Sequence, residues 1–186
     1  MLLLSVLIIL VHFVGKKKEI SETGHNIFFA LQSALAIALY FYITNYLTYY
    51  NNMFIGIIFI VFYIYEVWSL GKIYYQTRKH RSLSISLIYA MIWSLISIIT
   101  AFSYFNFFAY HFYPYSYTIR PIDGWFEMSF EFLFHSFFLS TTISFTNVMP
   151  ISVLAEALAV IQVVFFYWIV GDSLIILFNP KKDQTI

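Results

Sequence analysis

The chain has no cysteine among its 186 residues, and only 10% of its residues are charged. Without cysteine, disulfides and thiolate metal sites are excluded. Soluble proteins carry about 25% charged residues, so much of this protein's surface must face lipid. The net charge of +1 gives no overall field for nucleic acid. Because a phosphate loop, an H-E-x-x-H motif and a spaced nucleophile–base pair are also missing, we expect neither an enzyme nor a resident metal or cofactor.

Long apolar runs fill most of the sequence, and 61% of the residues are hydrophobic. Four runs are long enough to cross a bilayer as helices, namely residues 27–47, 53–70, 83–110 and 151–178. A fifth run, residues 1–14, reaches only about 21 Å at ~1.5 Å per residue, so it is either a short anchor or a helix lying partly in the interface. The predicted fold class is an all-α polytopic integral membrane protein with four to five transmembrane helices.

Basic residues predict the orientation, because they concentrate on the cytoplasmic side of membrane proteins. If the first loop, the loop after residue 70 and the C-terminus are cytoplasmic, only Arg120 of the ten lysines and arginines lies outside. The inner residues are then Lys16, Lys17, Lys18, Lys72, Arg78, Lys79, Arg81, Lys181 and Lys182. This pattern indicates a multi-pass protein of the cell membrane with a cytoplasmic C-terminus.

A shorter apolar stretch, residues 125–139, lies between one helix that ends outside and another that must begin outside. It therefore begins and ends on the outer side. About 16 residues of helix descend by ~24 Å, and an extended stretch from Thr141 to Asn147 climbs back by about 20 Å. We predict one re-entrant pore helix and loop here. The alternative is a spanning helix, which would put Lys181 and Lys182 outside.

Hydroxyl-bearing residues crowd the predicted loop, where polar groups within a membrane need protein, water or ions as partners. The segment from Thr141 to Pro150 reads T-T-I-S-F-T-N-V-M-P. It resembles the T-T-V-G-Y-G-D-x-x-P filter of the tetrameric potassium-channel superfamily, and residues 83–179 resemble the pore module of that family. The resemblance implies a homotetramer with one pore loop per chain. It assigns the ion path or filter to Thr141, Thr142, Ile143, Ser144, Phe145, Thr146 and Asn147.

Both glycines of the family filter are missing, because Ser144 and Thr146 stand in their places. The filter replaces the water shell of an ion with backbone carbonyls, and glycine allows backbone angles that other residues resist. A left-handed conformation costs other residues about 1–2 kcal/mol, so we do not expect the full carbonyl ladder. Asn147 also replaces the acidic residue of the outer mouth. We therefore expect a homotetrameric channel for monovalent cations with weak or altered selectivity. The alternative is a non-conducting scaffold or sensor subunit that signals through a cytoplasmic protein partner.

Two helices carry further candidate residues. On the re-entrant helix, Glu127, Glu131 and His135 recur every four residues and share one face. They form either a cation-attracting or pH-sensing stripe or a hydrogen-bond network that braces the helix. On the last helix, one face holds the candidate pore-lining or gating residues Gln162, Phe165, Ile169 and Asp172, whereas the register of the family selects Tyr167, Val170 and Leu174. Both faces remain open at this stage.

The chain is predicted to divide into three parts. Residues 1–82 form N-terminal membrane helices with basic cytoplasmic loops, residues 83–179 form the channel-like pore module, and residues 180–186 form a short cytoplasmic tail. Glu66 lies near the predicted inner interface, where we expect surface pairing or snorkelling. The expected partners are the lipid bilayer and further copies of the same chain.

Overall fold

The computed structural model describes residues 22–80, 85–113, 115–142 and 146–178. Five helices and one small sheet make up most of these residues, which confirms the all-α fold class. The helices are α1 (Glu22–Tyr50), α2 (Met53–His80), α3 (Ile85–Phe112), α4 (Trp125–Ser140) and α5 (Val153–Phe178), and the strands are β1 (Tyr117–Ile119) and β2 (Val148–Pro150). The predictions for residues 1–14, 143–145 and 180–186 lie outside the described residues.

Three of the helices are long and apolar enough to cross a membrane, over Ala30–Tyr50, Met91–Phe112 and Val153–Ile175. The apolar part of α2, Met53–Ser69, is shorter, and the helix continues beyond it through a basic stretch to His80. We expected Lys72 and Lys79 to lie in a loop, and this expectation is wrong. Lysine, arginine and glutamine are good helix formers, so the end of an apolar run need not end a helix.

A pair of asparagines makes the turn between α1 and α2. Asn51 has a φ of 44°, and its backbone N–H donates to the carbonyl oxygen of Leu47 at 2.9 Å. Asparagine tolerates this left-handed conformation better than most residues do, so it ends α1. Asn52 then accepts a hydrogen bond on Oδ1 from the N–H of Ile55 at 3.2 Å. It thereby caps the start of α2, and the two helices form a hairpin.

Helix α3 lies at the centre, because it packs against each of the other four helices. Buried tyrosines fix α2 at this centre through backbone hydrogen bonds. Tyr104 on α3 donates to the carbonyl oxygen of Gly56 at 2.8 Å, and Tyr63 on α2 donates to the carbonyl oxygen of Ala36 on α1 at 3.0 Å. Helices on both sides of the predicted domain boundary at residues 82 and 83 thus share one core.

The two short strands bring together the segments on either side of α4. They pair antiparallel, with Tyr117 opposite Pro150 and Ile119 opposite Val148. The N–H of Ile151 adds a hydrogen bond to the carbonyl oxygen of Ser116 at 2.9 Å. Because β1 precedes α4 and β2 follows it, the chain leaves and re-enters the helical bundle at the same end. The segment between the two strands, which includes α4, contains the candidate site.

Candidate functional site

Residues 146 and 147, which precede β2, lie against α4. Asn147 donates a hydrogen bond from Nδ2 to Oε1 of Glu131 at 3.0 Å. One turn further along α4, Nδ1 of His135 lies 3.2 Å from Oγ1 of Thr146. Successive positions of the returning chain thus face successive turns of α4 in the opposite direction. Together with the strand pair, these contacts define a hairpin made of a helix and a returning loop.

The tautomer of His135 follows from its neighbours. The hydroxyl of Thr146 donates to the carbonyl oxygen of Val148 at 2.8 Å, so its oxygen is left to accept from His135. The ring proton therefore sits on Nδ1. The other ring nitrogen, Nε2, is buried without a hydrogen-bond partner, which suits a neutral imidazole.

The predicted stripe on α4 is divided between two environments. Glu131 and His135 hold the returning loop through the two contacts described above, whereas Glu127 is exposed. One alternative from the sequence was a buried hydrogen-bond network that braces α4 against a neighbour. The structure shows hydrogen bonds for two of the three residues, and their partners are Asn147 and Thr146 of the same hairpin.

Helix α4 ends in a strained turn at two threonines. The N–H of Thr142 donates to the carbonyl oxygen of Leu139 at 3.2 Å, and Thr142 has a φ of 58°. This left-handed position after a helix is usually taken by glycine, and a β-branched residue is a clear exception there. Such strain often marks a functional position.

The hydroxyl groups of these two threonines donate hydrogen bonds to backbone carbonyl oxygens. Thr141 donates to the carbonyl oxygens of Phe137 at 3.1 Å and Phe138 at 3.2 Å. Thr142, which is exposed, donates to the carbonyl oxygen of Thr141 at 2.7 Å. The hydroxyl of Tyr167 on α5 approaches Oγ1 of Thr142 at 3.4 Å. A hydroxyl that gives its proton to the backbone keeps a lone pair for another donor or for a cation.

A second network, which the sequence analysis missed, joins α4 to α3 and β1. Asn106 on α3 donates from Nδ2 to Oγ of Ser136 at 3.1 Å. Its Oδ1 accepts a hydrogen bond from the phenol of Tyr117 at 2.8 Å. Burial raises the pKa of Tyr117 above its ordinary value near 10, so the phenol keeps its proton as a donor. The only sequence signal was the presence of polar residues inside apolar runs.

The two faces considered for α5 differ in burial. Gln162 is fully buried, and its Nε2 donates to the carbonyl oxygen of Ser136 at 2.6 Å and to Oγ of Ser140 at 2.8 Å. Ile169 is 7% exposed and packs in a cluster with residues of α3. Both side chains are therefore engaged within one chain, although Phe165 on the same face is partly exposed and Asp172 is half-buried.

The face selected by the register of the family is more open. Tyr167 is 47% exposed and Leu174 is 45% exposed, while Val170 between them is half-buried. Since a residue that lines an axis between chains must be reachable from outside its own chain, this face meets that requirement better than the face of Gln162 and Ile169.

Glu66 corrects another expectation. Its side chain is 3% exposed, and neither carboxyl oxygen has a hydrogen-bond partner. The expected surface pairing or snorkelling is therefore wrong. The nearby Lys72 instead places Nζ 3.6 Å from the centre of the Trp68 ring, so it makes a cation–π contact on an exposed face.

The fold and the hairpin define an all-α protein with three helices of sufficient length and apolarity to cross a membrane. Comparison of the chain with protein-family models, with curated proteins and with solved structures finds no match. Among the described residues, no three histidines, aspartates or glutamates are grouped so that they could hold a metal ion. The resemblance to potassium channels therefore rests on the loop motif quoted above.

Proposed function

We propose that the chain is a subunit of a homotetrameric cation channel, a multi-pass protein of the cell membrane with a potassium-channel-like pore of weak or altered selectivity. The observation that carries this proposal is the return of the chain along α4 to the strand pair. A helix of 16 residues is about 24 Å long. An excursion of this depth that starts and ends at one end of the bundle matches a re-entrant segment. The positions of the basic residues support a cytoplasmic C-terminus.

The tip of the hairpin offers suitable groups for a cation. The C-terminal end of α4 carries a partial negative charge, as every helix C-terminus does. Thr141 and Thr142 lie at this end and donate their hydroxyl protons to the backbone. Their remaining lone pairs, repeated in four chains, would form rings of oxygen ligands. Oxygen ligands are preferred by hard cations.

The surface of α5 provides a route to assembly. Val160, Val164, Tyr167 and Trp168 are all exposed on this helix. Such a long apolar surface suits lipid or a neighbouring copy of the chain. In a tetramer, the open face containing Tyr167 would turn toward the axis, because Tyr167 already lies beside Thr142 at the tip of the hairpin.

We expect weak or altered selectivity because side chains of the loop are held by hydrogen bonds within the hairpin. Thr146 stands where the resembling family has glycine, and its φ is not positive. Its hydroxyl and the amide of Asn147 are occupied by contacts within the hairpin. We therefore assign ion contact to the hydroxyls at the start of the loop, where ions would keep part of their water shell.

Reconstitution of the purified full chain in planar bilayers tests the proposal. We expect single-channel cation currents whose reversal potential under mixed monovalent salts changes in Thr142→Val, which replaces the hydroxyl by a methyl group. Thr142→Ser keeps the hydroxyl and should keep the wild-type value. Thr48→Val is the matched control, because Thr48 makes an ordinary hydrogen bond within α1 to the carbonyl oxygen of Thr44. Equal reversal potentials in Thr142→Val and the wild type would contradict the assigned ion path.

A second candidate function is a non-conducting scaffold or sensor subunit. The observation that favours it is the internal bracing of Thr146 and Asn147 by His135 and Glu131, which suits a static loop. The basic part of the sequence at the end of α2 would then be the contact region for a cytoplasmic protein. Tetramers that remain electrically silent in the bilayer experiment would support this function over conduction.

A further inference from the structure

A carboxyl group with no protein partner lies inside the bundle, away from the hairpin. Glu66 is 3% exposed, and both of its carboxyl oxygens lack a hydrogen-bond partner. Burying a charged carboxylate without compensation is strongly unfavourable. A buried ionisable group of this kind is therefore a candidate site.

The face of α2 that carries Glu66 is turned toward both α1 and α3. Gly56, Tyr63 and Glu66 follow one another at helical spacing on one side of α2. Gly56 accepts its hydrogen bond from α3, and Tyr63 donates to the carbonyl oxygen of Ala36 on α1. Glu66 is one turn beyond Tyr63 and thus lies at the junction of the three helices.

Each of the other two helices brings an unpartnered oxygen to this level. On α1, Gln32 precedes Ala36 by one turn, is 3% exposed and has no partner for Oε1. On α3, Ser94 is 3% exposed and has no partner for Oγ. A contact of 3.3 Å between the hydroxyls of Ser33 and Ser97 joins α1 and α3 at this level. Three buried side chains with unpartnered oxygen atoms therefore lie at about the same level of the bundle, one on each helix.

Within the part of the chain that the structure describes, no basic or titratable side chain forms an ion pair or hydrogen bond with Glu66. Lys72, the nearest basic side chain along α2 that the structure describes, lies over the ring of Trp68, which is exposed on another side of the helix. Among the described residues, Tyr63 on α2 interacts with Glu66 and with two other buried phenols, those of Tyr104 on α3 and Tyr40 on α1. All three phenols donate to backbone carbonyls, so none gives Glu66 a hydrogen bond.

We propose that Glu66, Gln32 and Ser94 form a binding site for one monovalent cation of the sodium class. The donors are all oxygens, which hard cations prefer. One carboxylate and one monovalent cation make a neutral pair, whereas a divalent ion would leave a buried net charge. A proton on Glu66 would give a single donor, while a cation accepts lone pairs from all three side chains at once. The site is independent of the proposed ion path at Thr142.

Thermal unfolding of the detergent-solubilised full chain tests this site. Sodium chloride replaces choline chloride at constant ionic strength, and tryptophan fluorescence reports the midpoint. Because a ligand that binds only the folded state stabilises it, we expect a saturable rise of the midpoint in the wild type and no rise in Glu66→Gln. Gln32→Leu should raise the sodium concentration for half of the effect by about tenfold or more, as loss of a supporting group does in metal sites.

Glu156→Gln is the matched control, because Glu156 is an exposed carboxylate in the first turn of α5. It should keep the response of the wild type. A midpoint that does not differ between sodium and choline, or a Glu66→Gln variant that responds as the wild type does, would overturn the proposal. Stabilisation by acid alone, without any sodium effect, would assign the site to a proton instead. The unfolding experiment measures no ion current, so its outcome does not depend on whether the chain conducts ions.

Discussion

Replacing Asn106 tests whether the hairpin is anchored to the bundle through one shared side chain. Asn106 is fully buried and joins Ser136 on α4 to Tyr117 on β1. Asn106→Leu keeps a similar volume but removes both hydrogen bonds, and the loss of the bond to Ser136 costs about 1 kcal/mol. It also leaves the buried phenol of Tyr117 without an acceptor, at a cost of about 1–3 kcal/mol. We expect the free energy of unfolding to fall by about 2–4 kcal/mol.

A double-mutant cycle separates the shared bond from general damage. Tyr117→Phe removes the phenol and leaves Oδ1 of Asn106 unsatisfied, so we expect a loss of about 1–3 kcal/mol. In the double variant the bond between the two residues is lost only once. The combined loss should therefore be smaller than the sum of the single losses by about 1 kcal/mol or more.

The assay is denaturant unfolding of the full chain in detergent micelles, followed by circular dichroism. Tyr49→Phe is the control, because Tyr49 is 68% exposed at the end of α1, and it should change the free energy of unfolding by less than about 0.5 kcal/mol. Additive losses in the cycle would refute the reasoning, since they would show that Asn106 and Tyr117 do not depend on each other.

Two further substitutions test the close packing of α2 and the bracing of the loop. Gly56→Ala would place a Cβ 2.5 Å from the ring of Phe108 and should lower the free energy of unfolding by about 1–3 kcal/mol. In the control Gly71→Ala, the new Cβ meets no atom within 4 Å, and the free energy of unfolding should rise by up to about 1 kcal/mol. Asn147→Asp would place a second carboxylate beside Glu131 and should lower the midpoint of thermal unfolding. Adding Glu131→Gln to this variant should restore the midpoint. A midpoint that does not change in Asn147→Asp would contradict the contact.

The sequence predicted the helices well because apolar runs of this length have few alternatives. The run at residues 27–47 lies within α1, Glu22–Tyr50, and the turn at residues 49–52 is where α1 ends and α2 begins. The end of α2 was not predictable from hydrophobicity, because charged residues extend a helix as readily as apolar ones. Length of an apolar run and length of a helix are different quantities.

The candidate site was predicted only in part, because its partners are distant in sequence. The spacing of Glu131 and His135 placed them on one face, but their pairing with Asn147 and Thr146 depends on the path of the loop. Glu66 was misjudged because its distance from Lys72 along the chain said nothing about α1 and α3, which bury it. On α5, apolar residues surround the helix, so sequence periodicity could not select the face that Gln162 turns inward.

The described part of the hairpin combines one strained residue with bracing contacts, and their energies can be compared. Thr142 in a left-handed conformation costs about 1–2 kcal/mol. The hydrogen bond from Asn147 to Glu131 contributes about 1.5–3 kcal/mol if the carboxyl group is charged, which offsets this strain. Side-chain bracing at Thr146 and Asn147 thus compensates for the strain at Thr142. Because bracing occupies Thr146 and Asn147, the proposed channel would bind ions mainly at the rings of Thr141 and Thr142. A pore with so few oxygen ligands would pass partly hydrated ions and would not discriminate strictly between sodium and potassium.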